Sequence, residues 1–260
     1  MATILSVVSL SAVLSVWRSL SAIAARLAAF QCETLAFAAI STLAQAQGTS
    51  PKQQEFTPKS GSGRAVVVIS GQSGMAAYAA TAQRIADAGF SVTLVDGNDF
   101  WIGDTRRAWA MVREVIAQAQ AKPHAMPGKV GVVGFSLGGA STLTYAARMP
   151  DLVATVVVAY PLTSFIKDPA DFVAKFKVPV RMLAGTADTY KDCCLIDMAR
   201  KLEAAAKASS SALFELHEYN GVGHGFNLST AALRDQAAGQ DAMERTIAHL
   251  KQALTSPDAK

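Results

Sequence analysis

The chain has 260 residues, with 24 Lys or Arg against 20 Asp or Glu and a formal net charge of +4. Its charges are scattered, with no basic tract and no interleaving of basic and aromatic residues, which speaks against nucleic-acid binding. Three cysteines and four histidines lack CxxC or HExxH spacing, and neither Walker A nor a complete G-x-G-x-x-G is present, so no metal or nucleotide signature is found.

Residues 1–46 differ in composition from the rest. They are mostly Ala, Ser, Leu and Val, with only Arg18, Arg26 and Glu33 charged. Removing them leaves a net charge of +3, since two Arg and one Glu go with them. Leu43-Ala44-Gln45-Ala46-Gln47 has the small-x-small form of a signal-peptidase site, and Arg26 precedes a mostly apolar stretch to Leu43. The segment reads as a signal peptide or signal anchor, which predicts an exported protein, periplasmic or secreted. The alternative is a cytoplasmic protein with an unstructured or mis-started N-terminus, or a further helix of the fold. Residues 47–63, polar and rich in Gly, Ser, Pro and Lys, read as a linker.

From Arg64 onward, strand and helix patterns alternate. Residues 65–69 form a continuous apolar β run; Tyr78, Ala82, Ile85 and Ala86 then recur at helical spacing, and Gly89 ends that helix. Residues 92–95 predict the next strand, and Trp109, Val112, Ile116 and Ala119 a long helix before Pro123. Residues 129–135 are a strand followed by a helix marked by Ala140, Leu143 and Ala147. Strands follow at 153–159 and 178–183, then a helix carrying Leu195, Met198, Ala199, Leu202 and Ala206. A strand at 213–219 and a helix with Met243, Ile247, Leu250 and Leu254 close the chain. Six continuous apolar strands interleaved with helices predict an α/β domain over residues 64–255. Its sheet would be mainly parallel, six-stranded or slightly larger, with helices on both faces. The one candidate lid, residues 161–177, is short.

Ligands bind at the carboxyl ends of strands in such sheets. Four loops there carry chemistry-bearing residues. Gly134-Phe135-Ser136-Leu137-Gly138 lies between strand and helix and has the G-x-S-x-G form of a nucleophile elbow. Asp188 follows the fifth strand, and His224 sits among glycines after the sixth. The order Ser, Asp, His predicts Ser136 as nucleophile, His224 as base and Asp188 as the acid that orients it. The alternative reading has Asp188 capping the next helix, with Asp192 as the reserve acid. Backbone N–H groups of Leu137 and Gln72 are expected to form an oxyanion hole, with Ser73 able to take the place of Gln72. Ser73, Phe100, Trp101 and Phe226 are candidate pocket residues. His124, His217 and His249 read as ordinary loop, strand and helix residues. The adjacent Cys193 and Cys194 read as two thiols at the start of a helix; in an exported protein the alternatives are a vicinal disulfide or pairing between chains. Cys32 lies in the N-terminal segment. Asn227-Leu228-Ser229 is a formal glycosylation sequon beside His224, expected to stay unmodified.

Three segments carry a family resemblance: Gly134-Phe135-Ser136-Leu137-Gly138-Gly139, Gly185-Thr186-Ala187-Asp188, and Tyr219-Asn220-Gly221-Val222-Gly223-His224-Gly225-Phe226. With them the chain resembles the dienelactone hydrolase family of the α/β-hydrolase superfamily across about residues 64–252. The resemblance implies a compact, lidless hydrolase that works through an acyl-enzyme without a cofactor or metal on a small-molecule ester. Founding members of that family carry a cysteine nucleophile, a glutamate in the oxyanion loop and an arginine four residues after the histidine. Ser136, Gly71 and Leu228 stand at those places here, which points to a serine esterase on the same scaffold. Residues 69–74 with Asp99-Phe100-Trp101 also resemble exported VirJ-type hydrolases, which implies aminoacyl-lipid esters as an alternative substrate class. A peptidase or amidase, and a catalytically silent binding protein, are the remaining alternatives. Oligomeric state is not legible.

Overall fold

In a computed structural model, residues 51–256 are described. The reading of residues 1–46 as an export segment lies outside them. Seven strands form: β1 Gln53–Phe56, β2 Gly63–Ile69, β3 Ser91–Val95, β4 Ala125–Phe135, β5 Val153–Ala159, β6 Val180–Gly185 and β7 Phe214–Tyr219, with valine-rich runs in β2, β4 and β5. They make one sheet in the order β1-β3-β2-β4-β5-β6-β7. Every pairing from β3 to β7 is parallel, and β1 alone runs antiparallel, against β3. The helices are α1 Met75–Asp87, α2 Thr105–Gln120, α3 Leu137–Thr144, α4 Pro169–Ala174, α5 Ile196–Ala208 and α6 Gln236–Thr255.

Alternation along the strands assigns each side chain to a face. Val67, Ile69, Val132, Val156 and Val158 join one buried cluster with Val112 and Ile116 of α2 and Leu202 of α5. Val66, Val68, Val133 and Val157 point the other way, to Tyr78, Ala82 and Ile85 of α1 and Met243 and Leu250 of α6. Both faces are covered, which is why the strands read as unbroken apolar runs.

The linker reading of residues 47–63 needs one correction, since Gln53–Phe56 is an edge strand in register with β3, Gln53 opposite Val95 and Phe56 opposite Val92. An edge strand pairs on one side only, so it does not need an apolar run. Gln54 and Glu55 are exposed, while Phe56 packs on the second core cluster. Lys122 closes over Glu55 with an ion pair of 2.5 Å. At the other end, α6 runs to Thr255 and carries Met243, Ile247, Leu250 and Leu254.

Candidate active site

Ser136 sits between β4 and α3 with φ 49° and ψ −114°, a backbone region that non-glycine residues rarely enter. Three hydrogen bonds hold it there. Its N–H donates to the Ala159 carbonyl at 3.1 Å, and its own carbonyl accepts from Leu162 at 2.9 Å and Ala140 at 3.1 Å. The surrounding glycines are required by contact: a Cβ on Gly138 would lie 2.3 Å from the Ser70 carbonyl oxygen, and one on Gly134 would lie 2.2 Å from Thr142 Oγ1.

His224 Nε2 lies 3.1 Å from Ser136 Oγ, and His224 Nδ1 lies 2.7 Å from Asp188 Oδ2. The Asp188 side chain is 1% exposed and that of His224 16% exposed. The second carboxylate oxygen of Asp188 accepts from the Tyr190 N–H at 3.1 Å. That bond closes the turn just after Asp188; the next helix, α5, starts after Leu195, so the alternative that Asp188 caps it does not hold. Asp192, the reserve acid, is exposed and forms no part of this chain of hydrogen bonds.

The two loops that bring Asp188 and His224 together are tied by backbone. Thr186 N–H donates to the Tyr219 carbonyl at 2.9 Å and Ala187 N–H to that of Val222 at 3.0 Å. Gly223 N–H donates to the buried Asp235 at 3.2 Å. The imidazole is also packed between two tyrosines. The Tyr190 ring stacks on it at 4.6 Å and 12°, and the Tyr160 ring meets it edge-on at 4.6 Å.

Leu137 opens α3, so its N–H is among the first-turn donors that the helix cannot satisfy. Gln72 faces it across the cleft, on a turn closed by Gly74 N–H to the Gly71 carbonyl at 3.0 Å. Asn98 donates to the Gln72 carbonyl at 3.2 Å and so braces that turn. At Gly71 a Cβ would meet the Tyr78 hydroxyl at 2.4 Å and Ser136 Cβ at 3.1 Å, so the tyrosine leaves no room there for a side chain. Tyr78 and Tyr160 are both buried, and burial pushes both hydroxyls above the usual tyrosine range. They remain phenols, and Tyr160 donates to Asn227 Oδ1. Asn227 in turn donates to Thr81 at 3.3 Å, so the sequon asparagine is engaged in the interior.

Two cavities meet at Ser136. The larger, about 420 Å³, is lined by Gln72, Asn98, Trp101, Leu137, Leu162 and Tyr190 among others. The smaller, about 220 Å³, includes Gln72, Ser73, His224, Gly225, Leu228 and Ala231. Trp101 and Ser73 thus stand where the sequence pattern places them. Phe100 and Phe226, expected on the pocket wall, do not. Each is 1% exposed, Phe100 in the core below its turn and Phe226 against Tyr160 and Tyr219. Phe100 is the last residue of a 3-10 turn, Gly97–Phe100, that follows β3, and the chain leaves that turn at Trp101, so Phe100 faces the core and Trp101 the cleft.

Tyr190, Leu162, Asn98 and Tyr160 escaped the sequence reading. Only Tyr190 had a usable signal, an aromatic two residues after the acid. The cysteine reading also changes. Cys193 and Cys194 form a disulfide between adjacent residues. α5 begins only at Ile196, after a turn with Lys191 at φ 49° and Asp192 at φ 52°, so neither cysteine lies in the helix. The other three histidines lie elsewhere: His124 against the Gly61 carbonyl, His217 on β7 and His249 beside Thr155.

Residues 99–254 match the dienelactone hydrolase family. Protein usf of Aquifex pyrophilus is 31% identical over 134 residues, which is 51% of this chain and 54% of that protein. The chain thus spans about half the length of that relative. Among solved structures, a candidate dienelactone hydrolase from Klebsiella pneumoniae superposes with TM-score 0.65 at 21% identity, covering 79% of this chain and 95% of its own. A monoacylglycerol lipase from Paleococcus ferrophilus gives 0.58 at 18%, covering 77% and 100%. Esterase 2 of Thermogutta terrifontis gives 0.58 at 16%, covering 80% and 91%. The shared architecture is the α/β-hydrolase fold, and with a family match across more than half its residues the chain belongs to the dienelactone hydrolase family.

Proposed function

We propose that this protein is a serine hydrolase that cleaves carboxylic esters through an acyl–Ser136 intermediate. The observation that carries the reading is the continuous chain from Ser136 Oγ through His224 to the buried Asp188, at 3.1 and 2.7 Å. A serine hydroxyl is a weak nucleophile without a base. Here Ser136 Oγ attacks the ester carbonyl as its proton passes to His224 Nε2. Asp188 holds the Nδ1–H tautomer and stabilises the imidazolium. The N–H groups of Leu137 and Gln72 receive the oxyanion, each worth about 3 kcal/mol of barrier. His224 then protonates the leaving oxygen as the carbon–oxygen bond breaks, and water deacylates the serine by the same route.

His224 must reach the leaving group, so the alcohol occupies the smaller cavity beside His224 and Gly225. The acyl group occupies the larger cleft under Trp101, Leu137 and Leu162, which suits small to medium acyl chains. The ester-cleaving names of the structural neighbours, an esterase and a monoacylglycerol lipase, point the same way. Export remains part of this reading. It is supported by the small-x-small sequence at residues 44–46 and by a disulfide, which persists in oxidising compartments. Sequencing the N-terminus of protein recovered from producing cells tests it.

The activity is tested with a fluorophosphonate probe on the purified protein, the adduct being mapped by peptide mass spectrometry. The expected result is a label on Ser136 that His224→Ala abolishes, followed by turnover of short-chain esters. A label indifferent to His224 overturns the triad.

A further inference from the structure

The sulfurs of Cys193 and Cys194 lie beside the catalytic base. One ligand atom from each cysteine and a ring nitrogen of His224 all fall within 4.8 Å of one another. Cys193 lines the larger cleft together with Ser136, and both cysteines are buried, at 8% and 5% exposure. A disulfide between neighbours closes almost no chain, so by loop-entropy reasoning it contributes little to stability. Its position asks for another explanation.

We propose that reduction of the Cys193–Cys194 disulfide opens a binding site for a soft divalent cation, held by the two thiolates and His224. Two thiolates and an imidazole are the donor set that zinc prefers, leaving a fourth position for water. The backbone placement of the site does not rest on the sulfur–sulfur bond. The Cys193 carbonyl accepts from Thr163 at 2.8 Å and Ser164 at 3.0 Å, and its N–H donates to the Tyr190 carbonyl at 3.0 Å. The ring already has the supporting bond of metal-bound histidines, with Nδ1 on a buried carboxylate, while Nε2 meets Ser136 Oγ, where the two cavities join.

The chemistry balances with a dithiol as reductant. It gives two electrons and two protons to the disulfide and becomes a disulfide itself, leaving two cysteine thiols. Binding of Zn²⁺ then releases both thiol protons. The metal occupies the Nε2 lone pair that otherwise takes the Ser136 proton, so the loaded protein is silent as a hydrolase. A chain passing from a reducing to an oxidising compartment would move from that state to the disulfide-bonded one. Only the silencing rests on the esterase reading; binding of the cation does not.

The test uses the full chain, reduced by a phosphine (which becomes its oxide) and freed of reductant, with thiol titration rising by two per chain. Zn²⁺ is then titrated against a chromophoric chelator, and Co²⁺ is added as a spectroscopic stand-in. The expected result is one Zn²⁺ per reduced chain, a thiolate-to-cobalt charge-transfer band, and neither in the oxidised protein. Cys194→Ser and His224→Ala should each weaken Zn²⁺ binding by at least the upper end of the about 10–100-fold that loss of an outer-shell partner costs, since each removes a ligand itself. Ester turnover by reduced wild type should fall with Zn²⁺ occupancy and return with a chelator, while Cys194→Ser, referred to its own metal-free rate, resists the same Zn²⁺. The proposal is overturned if the folded protein resists reduction, if no cobalt–thiolate band appears, or if Cys194→Ser binds Zn²⁺ as the wild type does. Tight Zn²⁺ binding by a protein that shows no esterase activity even when metal-free, reduced or oxidised, would refute the hydrolase reading and leave the site standing.

Discussion

The turn that carries Ser136 and the pair of loops that carry Asp188 and His224 meet at a single 3.1 Å hydrogen bond, yet they are held in different ways. The turn is one continuous segment. Every residue from Gly134 to Leu143 is buried, and its glycines stand against backbone carbonyls with no space for a methyl group. Asp188 and His224 come from loops 36 residues apart, joined by a few cross-loop hydrogen bonds and by aromatic packing. Their rim is open to solvent, with Tyr190 41% exposed. Ser136 is placed by close packing, where small changes cost much in stability. Beyond one close approach, where a Cβ on Gly185 would lie 2.3 Å from the Val222 carbonyl oxygen, the arm formed by the loops of Asp188 and His224 is placed by polar and ring contacts, where the same changes are expected to cost activity first.

The sharpest way to break this contrast is Asp188→Asn. It preserves shape but removes the acceptor that selects the Nδ1–H tautomer, so turnover should fall about 10⁴-fold with little change in unfolding midpoint. Full activity in steady-state assays would mean that the arm is not held through this carboxylate. Next comes a pair of matched substitutions. In Gly138→Ala the new methyl would sit 2.3 Å from the Ser70 carbonyl oxygen and 2.4 Å from that of Ile69, an overpacking expected to cost about 3 kcal/mol in urea unfolding. In Gly223→Ala the nearest atom is Asp235 Oδ2 at 3.5 Å, and the cost should stay below about 1 kcal/mol. Equal costs at the two glycines would erase the distinction.

Tyr190→Ala probes the arm more gently. It removes the ring stacked on His224 at 4.6 Å. A stacked aromatic pair is worth about 0.5–1.5 kcal/mol, so turnover should drop up to about tenfold. Thermal stability should barely move, because the ring lies on the rim.

The smallest effect separates pH dependence of stability from that of catalysis. Burial lowers His249 to about 4 from its ordinary 6.5. As pH falls, the unfolded chain takes up this proton first. Stability is therefore fully present above pH 6.5 and declines between 6.5 and about 4. The ring keeps some solvent, so the loss should be on the order of 1 kcal/mol. Urea midpoints at both ends of that window, in wild type and His249→Leu, isolate it. His249 bonds Thr155 on β5 and touches neither arm of the site, so His249→Leu should leave the pH profile of turnover in place.

Much of this was legible because it is local. Five strands announced themselves as apolar runs, since burial on both faces permits no alternation; of the two edge strands, β7 kept Phe214, Leu216 and Tyr219 among its glutamates, whereas β1 was hidden behind Gln and Glu. Ser136, Asp188 and His224 could be named because each occupies a distinctive turn at a strand end. The second ring of contacts could not. Tyr160 reaches His224 from the end of β5, and Asn98 reaches the Gln72 carbonyl across 26 residues. Phe100 and Trp101 look interchangeable in sequence, and only the path of the chain after β3 sends one to the core and the other to the cleft.

Periodicity and turn chemistry alone thus carried the layered α/β architecture, the strained serine turn and the order of the three polar residues. These depend on neighbours in the chain, whose geometry is set by backbone sterics. The division of the cleft into two cavities, the tyrosines around the imidazole and the approach of Cys193 and Cys194 to His224 depend on how separate loops pack. That is a property of the folded core, and no local pattern encodes it.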